Sequence, residues 1–301
     1  TIFLDEIGDI AAAVQPSLVT VSTQQLAAGA LAAGDASGLV DGFAVSADGL
    51  ILTSAHAVRG ATRLRVATAG GRSYDATVAA SDLVHGLVVL RATAASGLTP
   101  LRISAARPRI GDLGVAVFHP ALGTLSTRSG VVATVGMNAE DGTATLTDLL
   151  SIDAAAAPDA DGAPLVDATG ALTGVVTAVL SQPGVTAASA RDAATLLAGV
   201  QRGAPVSAPT FGVTSLLLGP AIAAAAALPQ GALIEAVAPG GPAAGLLQPG
   251  DVVTSVNGTA VSSVSGLRPD AFGLLAGDSA TLAVTGAGGA GRTVTITPAP
   301  G

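Results

Sequence analysis

At 301 residues the chain is long enough for two domains with buried cores. Its net charge of −8 argues against nucleic acid or an anionic membrane surface as a partner, since both need clustered cations. Half of the residues are hydrophobic but only 2% are aromatic, and the absence of cysteine excludes a disulfide framework and any thiolate metal site.

The first element is an N-terminal helix over Phe3 to Val14, where Ile7, Ile10, Ala11 and Val14 recur at helical spacing. Pro16 then opens a strand from Ser17 to Ser22, and residues 23 to 40, rich in Ala and Gly without period, read as a loop. From Gly42 to about Ala178, short strands alternate with glycine turns. They are Ala44-Val45, Leu50 to Thr53, Arg63 to Ala67, Ala76 to Ala79, Leu87 to Arg91 and Gly114 to Phe118. Beyond these come Gly130 to Val135, Ala144 to Thr147, Leu165-Val166 and Ala171 to Ala178. That density of strands suits barrels or sandwiches rather than βαβ units. A helix is expected over Ala190 to Gln201, and the Pro/Gly/Ser-containing stretch at 201–209 reads as a linker. The greasiest run, Ala221 to Leu228, is mostly alanine and stops at Pro229, so no stretch reaches the ~18 apolar residues of a membrane span. No basic, apolar signal segment opens the chain as given; a signal or membrane anchor trimmed from a longer product stays open.

Three stretches of the first 180 residues share an order and spacing that carry chemistry. Gly42–Val58 reads GFAVSADGLILTSAHAV; Ile110–Pro120 reads IGDLGVAVFHP, followed by SGVVA at Ser129–Ala133; Ile152–Asp167 reads IDAAAAPDADGAPLVD. Together they resemble the HtrA/DegP serine proteases, in which the first stretch holds the general-base histidine and the third holds the nucleophilic serine after a Gly-Asn pair. That resemblance implies a trypsin-like double β-barrel over residues 1–200. It puts the histidine at His56, the nucleophile position at Asp161 and the Gly-Asn of the oxyanion loop at Asp159 and Ala160. The strand that carries the family's triad aspartate corresponds to His85–Arg91, which places Gly86 where the carboxylate belongs.

Acyl transfer by a triad needs a hydroxyl nucleophile, an imidazole to take its proton and a carboxylate to hold the imidazole tautomer. Only the imidazole is present. Asp82, four residues before Gly86, is a poor substitute for the missing carboxylate, and a fixed anion at Asp161 opposes an oxyanion hole. At position 159 an aspartate replaces glycine in a loop where positive φ is a concern. The expectation is therefore an inactive protease site, with no metal or cofactor, in which His56 either rests as an inherited core residue or forms a charged pair with Asp161. His85 and His119 read as loop or strand-end surface residues.

From Thr210 the resemblance is to the PDZ domains that follow HtrA-type proteases. It rests on Thr210–Val213 (TFGV), on Gly231–Gly245 (GALIEAVAPGGPAAG) and above all on Gln248–Gly258 (QPGDVVTSVNG). Such a domain, here residues 210–301, implies capture of an extended peptide C-terminus as an added strand, with Thr210, Phe211, Gly212 and Val213 as the carboxylate loop. Pro269 is expected to start a short groove helix reaching Leu275.

The resemblance as a whole implies an extracytoplasmic protein of the bacterial envelope, membrane-anchored at full length. The function expected is that of a pseudoprotease that binds protein or peptide C-termini as a regulator or scaffold. An active endopeptidase or other hydrolase with a relocated nucleophile is the alternative. A structural assembly subunit, forming the homo-oligomers that HtrA-like proteins make, is another.

Overall fold

The computed structural model describes residues 2–23, 38–61, 63–119, 124–140, 145–177, 184–203, 209–261, 267–269, 272–286 and 288–300. It divides into two compact units, Thr1–Leu197 and Ala198–Gly301. The first is mainly β. Helix α1 (Ile2–Val14) buries Ile10, Ala11 and Val14 on one stripe, the face that the spacing predicts. Six strands then close a barrel in the order β1-β2-β3-β6-β5-β4. These are β1 (Leu18–Ser22), β2 (Leu39–Ala44), β3 (Leu50–Ser54), β4 (Leu64–Thr68), β5 (Ser73–Asp82) and β6 (Leu87–Ala92). Val19, Val21, Ile51, Val66, Val88 and Leu90 fill it.

A second barrel closes as β10-β11-β12-β9-β8-β7. Its strands are β7 (Leu113–Phe118), β8 (Ser126–Glu140), β9 (Thr145–Ile152), β10 (Pro164–Val166), β11 (Leu172–Val176) and β12 (Val185–Ser189). Its core is built on Phe118, Val132, Leu150, Ile152, Leu165 and Val176. Each such side chain contributes about 1.5–3 kcal/mol on burial, and closure removes the sheet edges that would invite aggregation. Strand β3 is buried along its whole length because Ile51 faces its own barrel while the strand's other side lies against β11. The two residues flanking the future site, Ser54 and Ala55, are thereby held by both barrels' packing. Helix α2 (Ala190–Arg202) follows β12.

Pairing, more than local propensity, sets the strand ends. Strand β5 outruns the expected Ala76 to Ala79 because it pairs β4 on one side and β6 on the other, with a bulge between Val78 and Ala80. Strand β8 likewise extends beyond Gly130–Val135 through three irregularities against β9. Strand β2 begins at Leu39, inside the segment expected as loop, because Val40 and Leu39 pair Val21 and Ser22. Strand β12, Val-Thr-Ala-Ala-Ser, carries too little β-propensity to be read alone and is fixed by pairing β9 and β11. The rest of the 23–40 loop (24–37), residue Ala144 of one expected strand, Ala178 of another and 204–208 of the linker lie outside the described residues.

The second unit holds a sheet ordered β14-β15-β16-β18-β19, with β17 pairing β16, and a small β13–β20 pair. The strands are β13 (Pro209–Thr210), β14 (Val213–Leu218), β15 (Gly231–Val237), β16 (Val252–Val256), β17 (Thr259–Ala260), β18 (Ala280–Thr285), β19 (Gly291–Ile296) and β20 (Ala299–Pro300). Helix α3 (Pro220–Ala226), the alanine run, takes Pro at its first position and packs Ala223 on Leu218 and Val252. Phe211, Ile234, Val253, Leu282, Val284 and Ile296 form the core. Of the expected groove helix, residues 270–271 lie outside the described set; around them the Pro269 carbonyl accepts from the N–H groups of Phe272 and Leu274. No helix among the described residues is long and apolar enough to cross a membrane.

Candidate functional site

His56 sits in the turn that follows β3, and Asp161 directly follows a 3-10 turn at Pro158–Ala160, just before β10. The two barrels bring them together. Asp161 Oδ2 lies 2.8 Å from His56 Nδ1, and Asp161 Oδ1 accepts a 2.6 Å hydrogen bond from Ser54 Oγ. Ser54 is fully buried and its Oγ also accepts from Ala57 N–H at 3.0 Å, so the hydroxyl is spent on both sides. The Asp161 side chain is 10% exposed and the imidazole 39%. Each oxygen of this buried carboxylate is thereby engaged, as a buried polar group requires.

The backbone beneath is fixed by Gly162, whose φ of +85° only glycine adopts without strain. A Cβ there would collide with the Asp41 carbonyl and Thr53 Oγ1. That same carbonyl accepts from Thr53 Oγ1 at 2.7 Å, and Asp41 N–H reaches the Asp161 carbonyl at 3.3 Å. Asp41 was invisible to sequence reasoning, hidden in an apolar strand. Its carboxylate, only 2% exposed, accepts from His119 N–H at 3.2 and 3.3 Å. Burial pushes this carboxyl above its ordinary range, and the nearby Asp161 charge adds to that, while the contacts to His119 pull the other way.

Gly86 occupies its strand-edge turn at φ +72°, and a Cβ at that place would sit 3.0 Å from Leu146 Cδ1 and 3.7 Å from Thr177 Oγ1. Asp82 is engaged by its own turn. Its Oδ1 accepts from the N–H groups of Val84 and His85, both at 3.1 Å, and its Oδ2 lies 2.5 Å from His85 Nδ1. His85 is therefore not a surface residue. It is fully buried, with Nε2 3.7 Å from Asp192 on α2, because two carboxylates flank the imidazole and offset its desolvation. His119, too, is partly buried rather than freely solvated, drawn down onto Asp41. The concern about Asp159 also resolves differently. Position 159 lies exposed inside the 3-10 turn, which has no positive φ, so an aspartate there costs the backbone nothing; Ala160 is buried with its N–H on the Ala157 carbonyl. No group of three or more His, Cys, Asp or Glu side chains among the described residues is arranged to hold a metal ion.

In the second unit the TFGV segment turns from β13 into β14. Phe211 is buried, its carbonyl accepting from Ala243 N–H at 3.0 Å, and Gly212 has φ +71° with its carbonyl on Ala238 N–H at 2.8 Å. Strand β14 is the outer edge of its sheet.

Comparison with known proteins agrees with this geometry. Residues 40–175 match the trypsin-like peptidase domain family and residues 233–284 the PDZ domain family. The chain is of the HtrA type. A probable periplasmic serine endoprotease DegP-like protein of Chlamydia pneumoniae is 31% identical over 143 residues, 48% of this chain and 29% of that protein. The putative serine protease HhoA of Synechocystis is 28% identical over 144 residues, 46% of this chain and 36% of that protein. The HtrA-type chain thus spans about a third of the length of these curated relatives. Among solved structures, the HtrA-type protease AlgW with a tripeptide is 25% identical, with a TM-score of 0.67 over 97% of this chain and 96% of that one. A serine endoprotease from Yersinia pestis shares the fold at 24% identity, with a TM-score of 0.62 over 97% of both chains.

Proposed function

We propose that this HtrA-type chain is a non-catalytic binding protein, a pseudoprotease whose PDZ unit takes peptide C-termini. The observation that carries the reading is the Ser54–Asp161–His56 array. The carboxylate at the nucleophile's position consumes the imidazole nitrogen that a triad reserves for orientation, and it places negative charge where acyl transfer develops its own. Gly86 supports the same conclusion, since it offers no carboxylate to hold the imidazole tautomer. Peptide capture is supported by the PDZ match, by the exposed edge of β14 and by the tripeptide held in the AlgW structure. A place outside the cytoplasm accords with the periplasmic naming of the Chlamydia relative.

The test is incubation of the purified protein with casein and with a fluorophosphonate label for activated serines. The expected result is no fragments and no label above background. Casein turnover that co-purifies with the protein and vanishes in His56→Ala would overturn the reading.

A further inference from the structure

The carboxylate loop of the PDZ unit is already engaged by its own chain. Gly212 N–H, one of the donors of the TFGV turn, gives a 2.9 Å hydrogen bond to Thr210 Oγ1. Further along the same strand, Leu267 N–H donates to Ser215 Oγ on β14 at 3.2 Å. Phe211, Leu267 and Leu274 are each less than a tenth exposed and belong to one packed cluster, with Val213 and Leu217 of β14 against it. The hydroxyl of Thr210 offers Gly212 what a ligand's carboxylate oxygen would offer: an acceptor at hydrogen-bond distance, aligned with a backbone N–H.

We infer that Thr210 is a built-in competitor of the peptide carboxylate, so that its hydroxyl sets the affinity of the loop for C-terminal ligands. The inference rests on the peptide-binding reading above. Its physical content is an exchange. A bound carboxylate must displace Thr210 Oγ1 from Gly212 N–H, and the ligand gains only the difference between the charge-assisted bond it makes and the neutral bond it breaks. Without the hydroxyl, the Gly212 N–H loses that acceptor. Thr210 itself is held by the β13–β20 pairing, where it faces Ala299, so the turn keeps its shape when the oxygen is removed. Thr210→Val preserves the β-branched outline and that pairing, while Thr210→Ser retains the hydroxyl.

The experiment measures binding of a fluorescein-labelled pool of decapeptides ending in Ala, Val, Leu or Phe, with free and with amidated C-termini, to the full chain. Thr210→Val is expected to bind the free-carboxylate pool roughly 3- to 10-fold more tightly than the parent, the range spanned by one neutral hydrogen bond. Thr210→Ser is expected to match the parent, and the amidated pool to show no such gain. Equal or weaker binding by Thr210→Val, in a protein whose thermal melt matches the parent, overturns the inference and leaves peptide binding standing. No binding by any variant at millimolar concentration removes both the inference and the peptide-binding reading. If Thr210→Val fails to fold, Thr210→Ala and the exchange rate of the Gly212 amide decide instead. Faster exchange with tighter binding supports the competitor role, and unchanged exchange refutes it.

Discussion

Rebuilding the triad should fail first at Gly86. Substitution Gly86→Asp places a side chain on a backbone at φ +72°, where non-glycine residues lose roughly 1–2 kcal/mol. Its Cβ would stand 3.0 and 3.3 Å from the two methyls of Leu146, which is itself 1% exposed and has little room to yield. Overpacking of that kind costs about 1 kcal/mol or more, and a carboxylate turned toward a buried leucine adds desolvation. Together these give a loss of about 2–4 kcal/mol, or roughly 4–16 °C in melting temperature for a unit of this size. Gly86→Ala isolates the backbone and steric share and should lose about half as much. The assay is thermal unfolding of parent, Gly86→Ala and Gly86→Asp, followed by casein cleavage by Gly86→Asp combined with Asp161→Ser. Little or no cleavage is expected from the double variant, because the strained turn has to move before a new carboxylate faces His56. A Gly86→Asp protein as stable as the parent, with a double variant that digests casein, would refute the reasoning.

Two further predictions concern buried carboxyls. Burial raises the Asp41 carboxyl, so the native state holds its proton above the pH at which the unfolded chain releases it. Ionised Asp41 therefore costs increasing stability as pH rises from about 4 through its folded pKa; Asp41→Asn should gain on the parent over that window, and urea titrations at pH 4 and 7 check it. In the second unit Asp251, fully buried, accepts from Arg292 at 2.7 and 3.1 Å, and that guanidinium holds its carboxyl below the ordinary range. This stability is present above pH ~4 and lost as pH falls through the folded value, so Arg292→Gln should cost about 1–2 kcal/mol at pH 7 and progressively less in acid.

The fold was legible because its signals are short and local. Gly42–Val58 contains a strand, a turn and His56 in one piece, and Gln248–Gly258 contains the turn into β16 and the Asn257–Gly258 turn out of it, with Asn257 at φ +48°. The proposal of an empty triad needs only the residue types at 86 and 161, so it could be framed from sequence alone. What sequence could not supply is where polar groups go once two barrels close on each other. Ser54 was passed over because a serine two residues before a histidine carries no signal; its place between Asp161 and Ala57 N–H exists only when β3 meets the loop before β10. Asp41 was missed for another reason. It falls between the segment read as loop and the strand expected at Ala44, and only the fold brings it to His119 on the second barrel.

His85 shows how far such partners act, and it yields the last prediction. The imidazole is fully buried between Asp82 at 2.5 Å and Asp192 at 3.7 Å, and it joins the β5–β6 turn to the first turn of α2. That turn ends at Gly86 and also receives Thr147 N–H on the Val84 carbonyl, so the backbone leading to Gly86 is anchored by this polar network. Both carboxylate oxygens of Asp82 take part in it. Removing the imidazole takes one buried partner from each of these carboxyls, and losing a partner of a buried polar group costs about 1–3 kcal/mol. Asp192→Ala alone should cost less, because Asp82 lies closer to the ring and retains it. The double variant His85→Ala with Asp192→Ala should lose clearly less than the sum, since each single substitution already removes the contact the two side chains share. A double-mutant cycle by urea unfolding measures the coupling. Strict additivity would mean that Asp192 does not sense the imidazole, and that α2 is held in this unit by apolar packing of Ala193, Leu196 and Leu197 alone.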